Sequence, residues 1–187
     1  MTMPAPLDAA VSTLRRGGVI ACPTEAVWGL GCDPLDEAAV MRLLAIKRRE
    51  VAKGLLLVAA DVGQLKGLVD WDMLPATRRD PVLASWPGAS TWVLPATSRV
   101  PRWITGEHDG VAVRVSAHPL LVALCTAFGG PLVSTSANLA GDPPARSEAE
   151  LAPAVRASVD FVLPGATGGL ARPTPIRDAR SGAALRD

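Results

Sequence analysis

Short apolar runs of strand length alternate along this chain with longer segments in which apolar residues recur at helical spacing. Residues 36–48 follow the helical pattern. Within them, Val40, Leu43 and Leu44 fall on one face of the predicted helix. Residues 55–58 form an unbroken apolar run, which is typical of a strand buried on both faces of a sheet. The alternation of the two patterns predicts an α/β fold.

The same patterns predict the other elements of the fold. The predicted helices are residues 7–16, 36–48, 119–128 and 147–157, the last of which Pro153 interrupts. The predicted strands are residues 19–22, 55–58, 111–115 and one that begins at Leu132. The chain contains no internal repeat and no interdomain linker, so we expect residues 1–187 to form a single domain.

Composition and charge restrict the classes of protein that the chain can belong to. Hydrophobic residues make up 49% of the sequence, which is enough for a large core and excludes a disordered chain. The net charge is only +1, whereas a protein that depends on bulk attraction to nucleic acid is usually far more basic. Any phosphate-binding site must therefore be a local cluster of basic residues.

The cysteines and the N-terminus indicate a protein of a reducing compartment. The chain has three cysteines, an odd number with no CxxC pair, and two histidines, so a disulfide framework or a zinc site is not expected. No basic segment followed by an apolar stretch opens the sequence, and no apolar run approaches the roughly 18 residues of a membrane span. We therefore expect a cytoplasmic protein with reduced thiols and no membrane contact.

The common nucleotide-binding and catalytic motifs are absent from the sequence. There is no GxxxxGK[ST] phosphate loop, no GxSxG nucleophile motif and no HExxH zinc helix. The short segment 29–31, Gly-Leu-Gly, lacks the third glycine of a dinucleotide-binding motif. Function must therefore be inferred from the placement of individual polar residues.

Two polar features accompany predicted strands. Thr24 and Glu25 follow an apolar strand that ends at Pro23, at a strand end where loops often carry function. The other explanation of the pattern, and the one that spacing alone favours, is a turn closed by the Thr24 side chain and its own backbone. Arg114 interrupts the apolar run 111–115 and needs an anionic partner, because a buried unpaired charge is costly. An internal carboxylate or the carboxylate of a ligand would satisfy it.

A basic cluster follows the predicted helix 36–48. It consists of the run Lys47-Arg48-Arg49 and of Lys53. Lys47 extends the apolar stripe of the helix, so its ammonium could reach the helix C-terminus while its stem stays buried. Alternatively, lysine and arginine here bind phosphate, the first as a compact charge and the second as a bidentate fork.

Small polar residues follow the strand that begins at Leu132. In an extended chain Ser134, Ser136 and Asn138 point to the same side, which suits the edge of a polar ligand. A strand end that turns into the Gly- and Pro-rich loop 141–145 would give the same pattern. His118 precedes Pro119 at a predicted helix start, which favours a helix cap over an acid–base residue.

Five segments in order resemble the YrdC/TsaC family of threonylcarbamoyl-AMP synthases. They are PTEAVWGLGCDP at 23–34, KRR at 47–49 with KGLLLVAA at 53–60, WPGASTWVLPA at 86–96, VAVRVSAHPL at 111–120 and PLVSTSANLAGDPP at 131–144. The resemblance implies a single YrdC-like α/β domain in which a twisted mixed β-sheet, flanked by helices, surrounds an open cleft. The end of the chain near residue 187 resembles the short bacterial TsaC form.

The resemblance also implies the residues of the site. Lys47 and Arg49 would be catalytic and would bind ATP by offsetting the charge of the triphosphate. The other ATP-binding residues would be Ser136, Asn138 and Arg186, and the threonine-binding residues would be Thr24, Lys53, Arg114, Ser134 and Thr174. Two positions depart from the family pattern, namely Ser90 in place of an apolar residue and Pro175 in place of a residue with a free amide.

The activity that the resemblance implies is that of a nucleotidyltransferase in tRNA modification. Such an enzyme forms threonylcarbamoyl-adenylate and pyrophosphate from L-threonine, bicarbonate and ATP, with Mg²⁺ accompanying the ATP and no metal ligands from the chain. Other proteins of the pathway would pass the product to the tRNA adenosine beside the anticodon, and weak binding to RNA or tRNA is expected. Two alternatives remain: a non-catalytic RNA-binding factor of ribosome maturation and a carbamoyl-phosphate-processing enzyme.

Overall fold

Helices and strands alternate along the chain in the computed structural model, which describes residues 5–139 and 141–186. The helices are α1 (Ala5–Arg15), α2 (Glu37–Lys47), α3 (Ala76–Ala84), α4 (Arg102–Thr105), α5 (Pro119–Phe128) and α6 (Pro153–Ser158). The strands are β1 (Ile20–Pro23), β2 (Trp28–Gly31), β3 (Leu56–Ala59), β4 (Thr91–Pro95), β5 (Gly110–Val115), β6 (Leu132–Ser136), β7 (Phe161–Val162), β8 (Ile176–Asp178) and β9 (Ala184–Arg186).

The strands form one mixed sheet of nine strands in the order β7-β1-β2-β6-β3-β5-β4-β8-β9. Three neighbouring pairs are parallel, namely β1 with β7, β3 with β5, and β4 with β8. The other neighbours are antiparallel. The α/β class and the mixed sheet that the resemblance implies are confirmed.

Two clusters of buried apolar residues lie on opposite faces of this sheet. On β3, Leu57 and Ala59 belong to one cluster and Val58 between them belongs to the other, as the alternation of side chains along a strand requires. Helices α1 and α5 cover the face of Val58, while α2 packs on the other face. Most of the strands are therefore buried on both sides, which explains their unbroken apolar runs.

Side chains at the helix ends act as the sequence predicts. The Asp36 carboxylate caps α2 by accepting a hydrogen bond from the Ala39 amide at 3.1 Å. His118 caps α5, since its Nδ1 accepts from the Leu121 amide at 3.4 Å. Gly129 ends α5 in the left-handed conformation, with φ of 93°. The prediction that His118 is a helix cap is confirmed.

The prediction of one helix over residues 147–157 is wrong. A single turn of 3₁₀-helix covers Glu148–Glu150, and α6 starts separately at Pro153. Ala152 is extended, with ψ of 136°, because the ring of a following proline disfavours helical geometry. Pro153 therefore begins a helix, where its missing N–H is harmless, rather than interrupting one.

Both departures from the family pattern are accommodated by backbone carbonyl groups. The Ser90 carbonyl accepts a hydrogen bond from Nε1 of Trp86 at 2.7 Å, and the Pro175 carbonyl accepts from the Thr91 amide at 3.1 Å. Any residue offers this acceptor, so neither substitution removes these contacts.

The three cysteines are free and buried, as expected for reduced thiols. Burial raises the pKa of Cys22 and of Cys125 to about 12, so both remain thiols at neutral pH. None of the helices within the described ranges is long and apolar enough to cross a membrane.

A close backbone contact fixes the segment that carries Lys53. Gly106, at the end of α4, has φ of +63°, and a Cβ atom added to it would lie 2.3 Å from the Ala52 carbonyl oxygen. The Glu107 amide donates to the same carbonyl at 3.1 Å. Only glycine permits both the conformation and the approach.

We predict that Gly106→Ala lowers the free energy of unfolding by about 3 kcal/mol or more, because left-handed strain and steric overlap add. Gly129→Ala is the matched control: φ there is also positive, at +93°, but no atom lies within 4 Å of the added Cβ. Gly129→Ala should lower the free energy of unfolding by only about 1–2 kcal/mol, from backbone strain alone. Urea denaturation of both variants measures the difference, and equal losses would contradict the steric account.

Candidate functional site

An open cleft of about 820 Å³ lies where the β1–β2 turn, the C-terminal end of α2, β5 and β6 approach one another. All the residues that the sequence assigns to ATP or threonine line this cleft: Thr24, Lys47, Arg49, Lys53, Arg114, Ser134, Ser136, Asn138, Thr174 and Arg186. They come from parts of the chain far apart in sequence, and the sheet brings them together.

Lys47 joins the end of α2 to the end of β6. Its side chain is buried, and the residue is 7% exposed. Nζ donates to the carbonyl oxygens of Ser136 and Asn138, both at 2.6 Å, and to Oδ1 of Asn138 at 3.0 Å. The helix-end interpretation is wrong, because the ammonium contacts the end of β6 instead of the carbonyl groups of its own helix. The phosphate-binding interpretation stays a prediction. Burial, and to a smaller extent the charge of Arg49, together lower the pKa of Lys47 to about 8.

Arg49 and Arg186 place two guanidinium groups near each other. Nη2 of Arg49 donates to the Gly54 carbonyl at 3.0 Å, and Nη2 of Arg186 donates to the Thr174 carbonyl at 2.9 Å. Burial lowers the pKa of both arginines, and repulsion from Arg49 lowers the pKa of Arg186 further. Nε of Arg49 is buried and has no hydrogen-bond partner in the described part of the chain. This arrangement leaves positive charge and a donor available to an anion.

Arg114 on β5 has an internal carboxylate partner. It is 5% exposed, and its Nη2 lies 3.1 Å from Oε2 of Glu25. Nη1 donates to Oγ1 of Thr174 at 2.8 Å. Burial lowers the pKa of Arg114, and the charge of Glu25 opposes that shift. The interpretation that an internal carboxylate balances this arginine is confirmed. Nε of Arg114 is buried and has no partner among residues 5–139 and 141–186.

Glu25 lies at a predicted strand end, but the sequence alone neither assigns it to the site nor pairs it with Arg114. It is 6% exposed, and its Oε1 accepts a hydrogen bond from Oγ of Ser116 at 2.7 Å. Oγ of Ser116 in turn accepts from the His118 amide at 3.0 Å. A signal was available, since a lone arginine in an apolar strand requires a carboxylate and Glu25 stands at a strand end. Pattern alone could not show that the two meet.

Thr24 closes the turn between β1 and β2. Its Oγ1 donates to the Val27 carbonyl at 2.8 Å, so the turn interpretation is confirmed, although Thr24 also lines the cleft. Gly29 on β2 permits this arrangement. A Cβ atom there would lie 3.2 Å from the Thr24 methyl group and 3.8 Å from Oγ of Ser134.

The charge of the cleft is strongly positive although the whole chain is nearly neutral. The basic residues along the cleft are Lys47, Arg48, Arg49, Lys53, Arg114, Arg180 and Arg186, whereas the acidic ones are Asp109 and Asp178. Asp109 pairs with Arg180 at 2.9 Å. Within the described residues no three histidine, cysteine or acidic side chains lie close enough to hold a metal ion. The positive charge of the cleft suits a polyanion.

Comparisons with known proteins agree with this geometry. The sequence model of the family described as Sua5/yciO/yrdC, telomere recombination, matches residues 12–186. A curated relative from Xanthomonas euvesicatoria pv. vesicatoria, named threonylcarbamoyl-AMP synthase, is 66% identical over 187 residues and is covered completely, as is this chain.

Solved structures give the same result. The structure of P. abyssi Sua5 complexed with L-threonine is 32% identical, with a TM-score of 0.85 over 92% of this chain, which spans 50% of that protein. The structure of E. coli YciO is 26% identical, with a TM-score of 0.80, and the match covers 99% of this chain and 93% of the other. The chain belongs to the Sua5/YciO/YrdC family.

Proposed function

We propose that this protein is a threonylcarbamoyl-AMP synthase, a nucleotidyltransferase that converts L-threonine, bicarbonate and ATP into threonylcarbamoyl-adenylate and pyrophosphate. The observation that carries the proposal is the cleft itself, where basic side chains without carboxylate partners adjoin an arginine that has one. A polyanion fits the first region and a small zwitterion fits the second. The name of the Xanthomonas relative and the threonine bound to P. abyssi Sua5 support this choice of substrates.

The triphosphate would lie in the region of uncompensated charge. Lys47 and Arg49 would offset the charge of the phosphates and of the transition state, and Arg186 would add a second guanidinium group. The Lys47 ammonium also holds Ser136 and Asn138 through their carbonyl oxygens, at 2.6 Å each. The Ser136 hydroxyl would then meet the nucleotide in a fixed orientation. The Asn138 amide already bonds Lys47, Leu139 and Asp142, so Asn138 would contribute to ATP binding by fixing the end of β6.

L-Threonine would lie beside the balanced ion pair. The unpartnered Nε of Arg114 would donate to the amino-acid carboxylate, while Glu25 keeps the arginine charged and oriented. Hydroxyl groups of Thr24, Ser134 and Thr174 would surround the polar part of the substrate, and Lys53 at the cleft wall would add a positive charge.

The reaction requires positioning and charge neutralisation more than a protein nucleophile. The threonine amine captures carbon dioxide or bicarbonate as a carbamate, and a carbamate oxygen attacks the α-phosphorus of ATP. Pyrophosphate leaves with the electrons of the broken phosphorus–oxygen bond, and Lys47 and Arg49 stabilise its developing charge. The described residues form no metal site, so Mg²⁺ would arrive with ATP and be held by its phosphates.

We further propose a single domain over residues 1–187 in a cytoplasmic protein. The continuous sheet supports the single domain, since it includes strands from β1 near the start of the chain to β9 near its end. Other proteins of the tRNA threonylcarbamoylation pathway would consume the product, with no more than weak binding of RNA by this chain.

Incubation with ATP, bicarbonate and L-threonine should release pyrophosphate only when all three substrates are present. Omission of threonine or bicarbonate is the matched control, because the carbamate cannot form without either. Pyrophosphate release that does not depend on threonine would overturn the assignment. A protein that turns over no ATP but binds RNA with a steep salt dependence would favour the RNA-binding alternative.

Two serines on β6 offer a matched test of how the cleft is divided. Ser134→Ala should raise KM for threonine about fivefold with little change in KM for ATP, since a lost hydrogen bond costs ~1 kcal/mol. Ser136→Ala should instead raise KM for ATP about fivefold, with little change in KM for threonine. Steady-state kinetics with each substrate varied in turn gives both constants. If both variants raised the same KM, the division would be wrong.

A further inference from the structure

Arg48 adopts a backbone conformation that arginine rarely takes. Its φ is 49° and its ψ is 44°, and within residues 5–139 and 141–186 it is the only residue other than glycine with a positive φ. Left-handed geometry brings Cβ too close to the following carbonyl oxygen, so glycine usually occupies this position after a helix. The arginine therefore strains the backbone at a place where glycine would not.

The end of the helix does not require an arginine side chain at this position. Two backbone hydrogen bonds close α2: the Arg48 amide donates to the Ala45 carbonyl at 3.1 Å, and the Arg49 amide donates to the Leu44 carbonyl at 3.0 Å. These are the bonds of a Schellman motif, and glycine makes them equally well. The reason for an arginine must lie in what its side chain does.

The three residues of the run Lys47-Arg48-Arg49 differ in how many of their side-chain N–H groups already donate hydrogen bonds within the protein. The three N–H groups of the Lys47 ammonium match three oxygen atoms of Ser136 and Asn138, at 2.6, 2.6 and 3.0 Å. Nη2 of Arg49 donates to the carbonyl of Gly54. Arg48 is exposed, lines the cleft and makes no ion pair with any residue that the structure describes. Of the three side chains in the run, that of Arg48 alone makes neither a hydrogen bond nor an ion pair with a described residue, so its whole guanidinium group can bind an anion.

We propose that Arg48 is a further substrate-binding residue, whose guanidinium group holds a polyphosphate at the mouth of the cleft. This rests on the proposed function, in which the polyphosphate is the triphosphate tail of ATP or the pyrophosphate that leaves. An arginine fork can donate two parallel hydrogen bonds to one phosphate group. Lys47, by contrast, contributes its charge and the placement of β6. The strained conformation directs the chain so that all three basic residues border the same cleft.

Calorimetric binding of pyrophosphate, ATP and AMP to the whole protein tests the proposal. Arg48→Ala should weaken binding of pyrophosphate and ATP about fivefold, with a smaller effect at high salt because the group is exposed. AMP, which lacks the outer phosphates, should bind as it does to the unchanged protein. If Arg48→Ala weakens the binding of ATP but not of pyrophosphate, Arg48 contacts the substrate. If it weakens the binding of both ligands, Arg48 contacts the outer phosphates of either one.

Two further variants separate binding from folding. Arg48→Gly should lose the same affinity while raising Tm by about 2 °C, because the strain is relieved. A merely structural arginine would not give opposite changes in stability and affinity. Arg79→Ala removes a partly exposed arginine of α3 that lies outside the cleft and has only the neighbouring Asp80, at 4.0 Å, as an ion-pair partner. It should change neither the affinity for pyrophosphate and ATP nor Tm.

Unchanged affinity for pyrophosphate and ATP in Arg48→Gly would overturn the proposal, as would an equal loss in Arg79→Ala. These outcomes are distinct from failure of the proposed function, which shows as an absence of threonine-dependent pyrophosphate release by the unchanged protein. If that release is absent while Arg48→Ala still weakens pyrophosphate binding, the anion site stands and the synthase assignment falls.

Discussion

The main electrostatic constraint on this structure is a cleft in which lysine and arginine side chains outnumber the carboxylates that could neutralise them. The chain as a whole has a net charge of only +1, yet seven lysine and arginine residues line the cleft against two aspartates. Burial and mutual repulsion lower the pKa of Lys47 and of Arg186. Backbone carbonyl groups, rather than acidic side chains, hold these cations in place. Carbonyl oxygens orient a cation without cancelling its charge, so the cleft remains prepared for an anion.

The two regions of the cleft differ in how their charge is balanced. Arg114 is paired with Glu25, which Ser116 in turn orients, whereas Lys47, Arg49 and Arg186 make no ion pair with a described residue. A neutral ion pair can recognise a single carboxylate by geometry without attracting a triphosphate strongly. The unbalanced region favours the more highly charged ligand. Charge balance, more than shape, would therefore direct each substrate to its own side.

Local signals predicted helices α1, α2 and α5 and strands β1, β3, β5 and β6, but they predicted few contacts of the site. The apolar runs and the cap at His118 depend on neighbouring residues, so sequence alone identified them. Pro153 misled the prediction because a proline inside a helical pattern can either interrupt a helix or begin one. The pairing of Glu25 with Arg114 depends on how distant strands meet, and no periodicity contains that information. The family resemblance collected the cleft residues but did not reveal that Lys47 contacts the end of β6.

Proton uptake on binding ATP is the most direct test of whether this cleft holds unbalanced charge that a polyanion completes. Lys47 has a pKa of about 8 in the free protein, and nearby phosphates would raise it, so binding should draw in a proton. Calorimetry near pH 8 in buffers of different ionisation heat should give an uptake of about half a proton per ATP. The uptake should be absent in Lys47→Arg, whose guanidinium group stays protonated. No uptake near pH 8, or an equal uptake in Lys47→Arg, would contradict the account.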